Sequence, residues 1–298
     1  MDKDVFAKFK QSGKILREVR EEIRSFVSEG MLVIEICERA EKLLVKKGGR
    51  PAFPCNVSIN EVAAHYTSPL GDKRTVPEDS VVKVDIGVHV DGYVTDTAVT
   101  VCFNRELNSM VDAAEKALEE AVGRIRPGIS TAKLGSVIEK TVKSCGFKPV
   151  SNLTGHEVGR YLVHAGTSIP NVSHVSFSKI QLDRVYAIEP FVTLPNAAGR
   201  VENGKEVTIF RFTKRRKLRD PYAKRLLQHI ESSFRTLPFA ERWLDGVVPV
   251  QFHREAFNEL RSSKALMEYP VFIEASRKPV AQAEHTVLMV EDGCVVLT

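Results

Sequence analysis

Apolar residues recur at helical spacing near the start of the chain. The segment from about Val5 to Lys47 is therefore predicted to form two helices, which Gly30 separates. Gly48-Gly49 ends the second helix, because glycine is common just after a helix. The first helix carries one apolar stripe, formed by Ile15, Leu16, Val19, Ile23, Phe26 and Val27.

A β-hairpin is predicted from the alternating runs Val81–Val88 and Tyr93–Val99, which flank an Asp91-Gly92 turn. With a two-residue turn, Val90 faces Tyr93 and Gly87 faces Asp96. Asp85 then lies two positions along on the same face. Such diagonal neighbours have backbones about 7–8 Å apart, so both carboxylates are expected to reach one pair of cations.

Helices and strands continue to alternate after the hairpin. A helix is predicted through Met110–Val122, and after the Pro127-Gly128 break a second helix begins at a Ser130 cap and stops at Gly146. Short apolar runs from Val150 to Val192 are interrupted by Gly, Pro and Asn and indicate strands. This alternation predicts a mixed α+β core.

A change of pattern between Glu189 and Glu284 indicates an insertion. Tyr222–Phe234 and Pro238–Leu244 are helix-like and highly charged. We therefore expect a core in two pieces, residues 1–195 and 270–298, with residues 196–269 forming a compact helical lobe between them. The two ends of such a lobe must lie close together.

The composition narrows the class of protein. With 298 residues, 43% hydrophobic and 27% charged, the chain is typical of a globular protein that buries a large core. The five cysteines show no Cys-x-x-Cys spacing, so neither a thiolate zinc site nor a disulfide framework is expected. The start, Met1-Asp2-Lys3-Asp4, does not have the order of a signal peptide, and no apolar run has membrane-spanning length. We expect a cytoplasmic protein with no membrane partner.

The net charge of +5 is partly concentrated in the basic run Lys214–Arg219. A solvated surface segment is the first interpretation of this run. The alternative is electrostatic contact with a polyanion such as ribosomal RNA. Few aromatic residues interrupt the run, so base stacking and DNA binding are not expected.

Carboxylates and one histidine lie within or beside the β-prone runs. Carboxylates are costly to bury unless they are paired or bind metal, although a solvated strand face would also tolerate the two aspartates of the hairpin. Oxygen ligands mixed with one imidazole suit Mn, Fe, Co or Zn, and two such ions activate a water as hydroxide. The pattern predicts a two-metal hydrolase with five ligands, namely Asp85, Asp96, His156, Glu189 and Glu284.

Six segments in this order resemble the methionine aminopeptidases, in particular their type 2, archaeal-like branch. The resemblance implies the pita-bread (creatinase/aminopeptidase) fold of two α/β halves, with a helical subdomain insertion. At Ala283 the family commonly has a larger apolar residue, a departure that bears on pocket shape and not on metal binding. The resemblance rests on Phe53–Tyr66, the Asp85/Asp96 hairpin, Gly155-His156, Val163–Gly166, Tyr186–Phe191 and Ala281–Thr286.

The resemblance also implies roles for individual residues. One ion is held by Asp85 and the other by His156 and Glu189, while Asp96 and Glu284 bridge both. His65 and His164 contact the substrate and stabilise the oxyanion, although from sequence alone each is more often a structural histidine. The methionine pocket is expected to include Phe53, Val163, Phe191 and Tyr269, each of which would also suit core packing.

Two neighbours of the ligands are interpreted from strand alternation. Lys83 shares a face with Asp85 and is either a charge beside the site or a packed aliphatic stem. His285 follows Glu284 directly and is expected to point away from the site.

The implied function is removal of the N-terminal methionine from nascent proteins. Two divalent ions (Co, Mn, Fe or Zn), preference for a small second residue and a monomer are expected. An Xaa-Pro aminopeptidase or prolidase would share the ligand set, but the His65 segment and the long insertion do not suit those families. A binding module that has lost its metals is the third alternative, and the intact set of five ligands argues against it.

Overall fold

The computed structural model describes all 298 residues. No helix is both long and apolar enough to cross a membrane. The helices are α1 (Lys3–Phe26), α2 (Val33–Lys46), α3 (Asn108–Val122), α4 (Thr131–Ser144), α5 (Pro221–Phe234) and α6 (Val250–Ser262).

The four helices predicted before residue 150 are confirmed. The turn between α1 and α2 contains Gly30, and α2 is followed by Gly48, both with positive φ. The Ser130 side chain accepts a hydrogen bond from the backbone N–H of Lys133 and so caps α4 as expected.

Fifteen strands form four antiparallel sheets. In sheet order these are β1-β3-β4, β11-β10-β12-β2, β13-β9-β5 and β15-β14-β8-β6-β7. The strands are β1 (Arg50–Ile59), β2 (Val62–Ala64), β3 (Val81–Val90), β4 (Tyr93–Cys102), β5 (Lys148–Pro149), β6 (Thr154–Val158), β7 (Ser168–Pro170), β8 (Val185–Ile188), β9 (Phe191–Thr193), β10 (Val201–Phe212), β11 (Pro238–Ala240), β12 (Leu266–Glu274), β13 (Val280–Gln282), β14 (His285–Val290) and β15 (Gly293–Val296).

Each half of the core packs a pair of helices on antiparallel strands. In the first half, Leu16 of α1 and Ile36 of α2 share one apolar cluster with Val84 and Ile86 of β3. The second half has the same plan. There, Met110, Leu134 and Ile138 of α3 and α4 pack with Tyr186 of β8 and Val287 of β14. The expected mixed α+β class is confirmed.

The residues of β10, α5, β11, α6 and β12 enclose a further apolar cluster. Phe210, Leu226, Phe239, Phe257 and Leu260 are buried within it. The predicted division at residues 195 and 269 stays a proposal. Strand β12 runs continuously across the second of these boundaries and pairs with β2 of the core.

Part of the prediction for this lobe is wrong. The helix over Tyr222–Phe234 is confirmed, but Pro238–Ala240 is strand β11 and only Glu241–Leu244 forms a short 3-10 turn. Tertiary packing explains why this segment is a strand, because Phe239 is fully buried and pairs with Phe210 of β10. Helix α6 was not predicted.

Candidate metal centre

The β3–β4 hairpin positions Asp85 and Asp96 as predicted. Gly87 is paired with Asp96, and Val90 is paired with Tyr93 across the two-residue turn. Gly87 is required because a Cβ there would lie 2.2 Å from a ring atom of Phe53, which covers the strand at this point.

Strand β8 brings the other three candidate ligands together. It pairs with β6, which carries His156, and with β14, which begins directly after Glu284. Glu189 follows the last residue of β8. Glu284 is fixed to the hairpin because its backbone carbonyl accepts a hydrogen bond of 2.7 Å from the Thr97 hydroxyl.

The Thr286 hydroxyl also joins the two halves. It accepts from the backbone N–H of Asp96 and donates to the carbonyl of the same residue, both at 2.7 Å. Its side chain therefore satisfies two backbone groups of β4 at the position of a candidate ligand. This contact holds the hairpin carboxylates against β14.

All five candidate ligands converge. His156 Nε2 lies 3.3 Å from Glu189 Oε1 and 3.7 Å from Asp96 Oδ2. Ligand atoms of Asp96, His156 and Glu284 lie within 4.8 Å of one another. Asp85 and Glu189 are connected through Gln282, whose Nε2 is 3.5 Å from one carboxylate and 3.4 Å from the other.

The four carboxylates have no Lys or Arg partner, so they repel one another in a desolvated environment. Desolvation raises the pKa of Asp85 to about 7. Desolvation, and next the neighbouring carboxylates, raise the pKa values of Asp96, Glu189 and Glu284 well above their ordinary range. Desolvation also lowers the pKa of His156 to about 3, which leaves the imidazole neutral and able to act as a ligand.

Divalent cations fit this donor set. Asp85 Oδ1, Asp96 Oδ1 and both carboxylate oxygens of Glu284 are buried and have no hydrogen-bond partner. Orphan acceptors of this kind are costly in a protein interior, and cations would satisfy them. Oxygen and imidazole ligands without thiolates suit Mn, Fe, Co or Zn.

A cavity of about 390 Å³ opens above the carboxylates. Asp85, Asp96, His156 and Glu189 contribute to its lining, whereas Glu284 lies behind them and is almost completely buried. The remaining wall is largely apolar or aromatic and includes every residue predicted for the methionine pocket, namely Phe53, Val163, Phe191 and Tyr269, together with Leu153, Ile209, Pro238 and Phe272.

His65 is held in an unusual backbone conformation beside the cavity. Its φ is +65°, a left-handed conformation that costs a non-glycine residue roughly 1–2 kcal/mol. The ring packs against Tyr269 at 5.5 Å and Phe272 at 4.4 Å between centroids, with Nδ1 3.3 Å from the Pro270 carbonyl oxygen. Desolvation lowers its pKa to about 4. The cavity therefore receives a fixed, neutral imidazole.

His164 lies next to the candidate ligands. The centroid of its ring is 4.3 Å from that of His156, and the ring is accessible from the cavity. Desolvation by the cavity walls, and next the positive charge of Arg211, lower its pKa below the ordinary value. His164 is therefore also neutral near pH 7.

The residues that adjoin Glu284 differ from one another in orientation. His285 lies outside the cavity as expected, where Nδ1 is 3.0 Å from Arg20 Nη1. The side chain of Ala283 packs in the apolar cluster under α3 and does not line the cavity. Its small size therefore affects core packing.

Lys83 is completely buried, and its Nζ donates to the carbonyl oxygens of Asn60 at 3.0 Å and Val280 at 2.8 Å. It bridges two segments of backbone and forms no ion pair with Asp85.

Two polar residues of the site were given no role from the sequence. Gln282 connects Asp85 with Glu189, and Asn56 lines the cavity with its Oδ1 unpaired. A signal for Gln282 existed, because it alternates with Glu284 in an otherwise apolar run. Asn56 pairs with Asp85 across β1 and β3, which sequence pattern alone does not reveal.

The comparisons with known proteins agree with this geometry. The model for Metallopeptidase family M24 matches residues 7–212. A methionine aminopeptidase of Methanothermobacter thermautotrophicus is 43% identical over 97% of both chains. One from Methanocaldococcus jannaschii is 40% identical over 100% of both. The structure of a methionine aminopeptidase from Thermotoga maritima shares the fold, with a TM-score of 0.72, 22% identity and coverage of 100% of this chain and 98% of that one.

Proposed function

Because the chain belongs to metallopeptidase family M24 and has its pita-bread fold, we propose that it removes the N-terminal methionine from proteins. It is a hydrolase of the aminopeptidase class, as its curated relatives are. We assign it to the type 2 branch. The support for this finer assignment is the helical lobe that interrupts the core between Glu189 and Glu284.

The observation that carries the proposal is the set of orphan carboxylate oxygens beneath a cavity with one largely apolar wall. Two divalent ions would be held by Asp85, Asp96, His156, Glu189 and Glu284, with Asp96 and Glu284 shared between them. When bound, such ions supply an activated water as nucleophile and polarise the scissile carbonyl. Gln282 orients two of the carboxylates.

The methionine side chain would occupy the apolar wall of the cavity. Phe53, Val163 and Phe191 are buried residues that line it, and Tyr269 and Phe272 lie nearby around His65. Full burial of a Met side chain contributes ~1.5–3 kcal/mol. This binding would place the first peptide bond above the carboxylates.

His164 would act on the carbonyl of that peptide bond, because its neutral ring presents one N–H donor and requires no ion pair. The single N–H of neutral His65 lies at Nδ1 and faces the Pro270 carbonyl oxygen, so its Nε2 would accept a hydrogen bond from a substrate N–H. A donor positioned for the developing oxyanion contributes ~2.7–4 kcal/mol in the transition state. The fixed ring of His65 also restricts the space above the carboxylates, which would favour a small second residue.

The alternative within the family is cleavage of Xaa-Pro bonds, which would use the same ligands. Turnover of Met-Ala-Ser and Ala-Pro-Ser, each with Co, Mn, Fe or Zn, distinguishes the two. We expect release of methionine from the first peptide and no cleavage of the second. Cleavage of only Ala-Pro-Ser would favour the prolidase-like function, and metal binding without any turnover would favour a binding module.

The natural substrates would be N-terminal peptides of nascent proteins, and the place of action the cytoplasm. The exposed residues Lys214–Lys217 of the basic run would provide an electrostatic contact with the ribosome. We propose that the protein acts as a monomer, because its proposed ligands all come from one chain.

A further inference from the structure

Arg211 lies at the rim of the cavity. On β10 it shares a face with Ile209, since residues two apart in a strand point to the same side. Ile209 pairs with Tyr269, and both line the cavity. Arg211 itself pairs with Pro238, which lines the cavity as well. Arg211 therefore lies two residues beyond the lining residue Ile209 along β10.

The guanidinium of Arg211 has no acidic partner. Its Nη2 donates to Met267 Sδ at 3.2 Å, and its Nε is buried without any hydrogen-bond partner. Thioether sulfur is a weak acceptor, whereas a guanidinium has five donors whose geometry matches a carboxylate. This residue is therefore a cation with unused hydrogen-bonding capacity at the entrance to the site.

The nearest acidic residue along the neighbouring strand does not neutralise it. Glu268 is paired with Phe210, on the opposite face of the sheet. Its carboxylate is held there by Arg261 at 2.7 Å. The alternation of β10 and β12 thus keeps the carboxylate of Glu268 away from the cavity rim.

The charge of Arg211 extends to the residues that would contact the substrate. Its positive charge opposes the desolvation that raises the pKa of Tyr269, which lines the cavity. A peptide whose first bond lies above the carboxylates must leave the cavity through its opening. The residues that follow the cleaved bond would therefore run past His164 towards Arg211.

We propose that Arg211 forms a subsite for a substrate carboxylate on the C-terminal side of the cleaved bond. The carboxylate is either the free C-terminus of a short peptide or an acidic side chain at the third position or beyond. This inference rests on the proposed aminopeptidase function and adds a preference within it. Because the guanidinium is partly solvated, the gain is moderate, and we expect kcat/KM to rise roughly three- to tenfold, mainly through KM.

Two pairs of peptides test the preference in the unmodified, metal-loaded protein. Met-Ala-Ala as the free acid is compared with its C-terminal amide, and amidated Met-Ala-Glu-Ala with amidated Met-Ala-Gln-Ala. A preference in the first pair identifies the terminal carboxylate, and one in the second identifies the acidic side chain. Equal kcat/KM within both pairs would overturn the proposal, as would a preference for the neutral peptides.

Substitutions of Arg211 then test whether this residue causes the preference for a substrate carboxylate. Arg211→Gln should bring the acid-to-amide ratio close to one, and Arg211→Lys should keep part of it. Arg215→Gln removes one positive charge from the exposed basic run and should keep the full ratio. A ratio that survives in folded Arg211→Gln contradicts the assignment. Failure of the unmodified protein to cleave any of the four peptides would instead contradict the aminopeptidase function.

Discussion

At the scale of single residues, a substitution of His164 can distinguish a role in substrate binding from a role in catalysis. A neutral imidazole donor directed at the scissile carbonyl stabilises charge that develops only as that carbonyl is attacked. We expect His164→Ala to lower kcat and kcat/KM together, by roughly 100-fold or more, with metal content unchanged. Steady-state kinetics with metal analysis checks this. An effect confined to KM would assign the ring to substrate binding alone.

Asp85 gives a prediction for the metal-free protein. Its pKa is raised to about 7 from an ordinary 3.8, so its ionisation opposes folding increasingly as pH rises through this window. Without metal, Asp85→Asn should raise the free energy of unfolding at pH 8, by up to about 4 kcal/mol, and leave it nearly unchanged below pH 4. Denaturant unfolding at both pH values tests this, and equal effects at the two would contradict it.

With saturating metal the same substitution should destabilise the protein, because a ligand is lost. The change from stabilisation without metal to destabilisation with metal is the internal control. If Asp85→Asn stabilised the protein under both conditions, Asp85 would not bind metal.

The candidate ligands could be predicted because carboxylates are uncommon in β-prone runs. The residues that contact these ligands could not be predicted from the sequence. Gln282 and Asp85 are 197 residues apart in sequence, and their contact depends on how β13 is placed beside the hairpin. Arg211 was likewise missed, since its position at the rim follows from pairing with Pro238 and Met267 and leaves no local pattern.

At the scale of elements, segments with a strong local signal were predicted correctly. The Asp91-Gly92 turn, with φ of +51° and +90°, and the Ser130 cap are examples, since turn and cap chemistry involves only neighbouring residues. Pro238–Ala240 has no such signal. It becomes a strand because β10 offers an edge and the lobe core accepts Phe239.

The exposed residues Lys214–Lys217 of the basic run precede α5, and none of them lines the cavity. Replacing all four residues by Ser should leave turnover of a short Met-peptide within a few fold. If the run contacts ribosomal RNA, co-sedimentation with ribosomes should fall and lose its steep salt dependence.

A charge-matched control separates this contact from the effect of net charge. It replaces four exposed lysines of α1 and α2 by Ser, namely Lys3, Lys10, Lys14 and Lys46. Equal loss of co-sedimentation in both variants would show that net charge, and not the run, is responsible. Loss of peptide turnover with metal still bound would mean that the lobe acts in catalysis directly.

At the scale of the whole molecule, the proposed ligands come from both halves of the core. Asp85 and Asp96 belong to the first half, and His156, Glu189 and Glu284 to the second. Metal should therefore bind the folded chain and stabilise it by about 2.7 kcal/mol at a concentration of 100 Kd, which raises Tm by several degrees. Calorimetry with Co or Mn should show two equivalents, the second weaker, and a chelator should reverse the shift.

Asp96→Asn should bind less metal and lose activity, because the carboxylate is proposed to be shared by both ions. Asp91→Asn is its matched control, since Asp91 is exposed in the hairpin turn and Asn suits the same conformation. Full activity and normal metal content in Asp96→Asn would exclude the bridging role.

The mixed α+β class was predictable from the alternation of helical and strand patterns. The repetition of a helix pair on a sheet in each half was not. The two halves share a plan of packing, and their apolar clusters use different residues at different spacings. Packing tolerates such divergence as long as volume and pattern are kept.

The bond between the Thr97 hydroxyl and the carbonyl of Glu284 spans 187 residues of sequence. During synthesis the hairpin emerges first, and at about 5–20 residues per second Glu284 follows roughly 10–40 s later. Throughout that interval a chain still in synthesis holds only part of the proposed ligand set. It would complete its metal site only after the segment that carries Glu284 has been made, so a nascent chain would have to be processed by copies of the protein completed earlier.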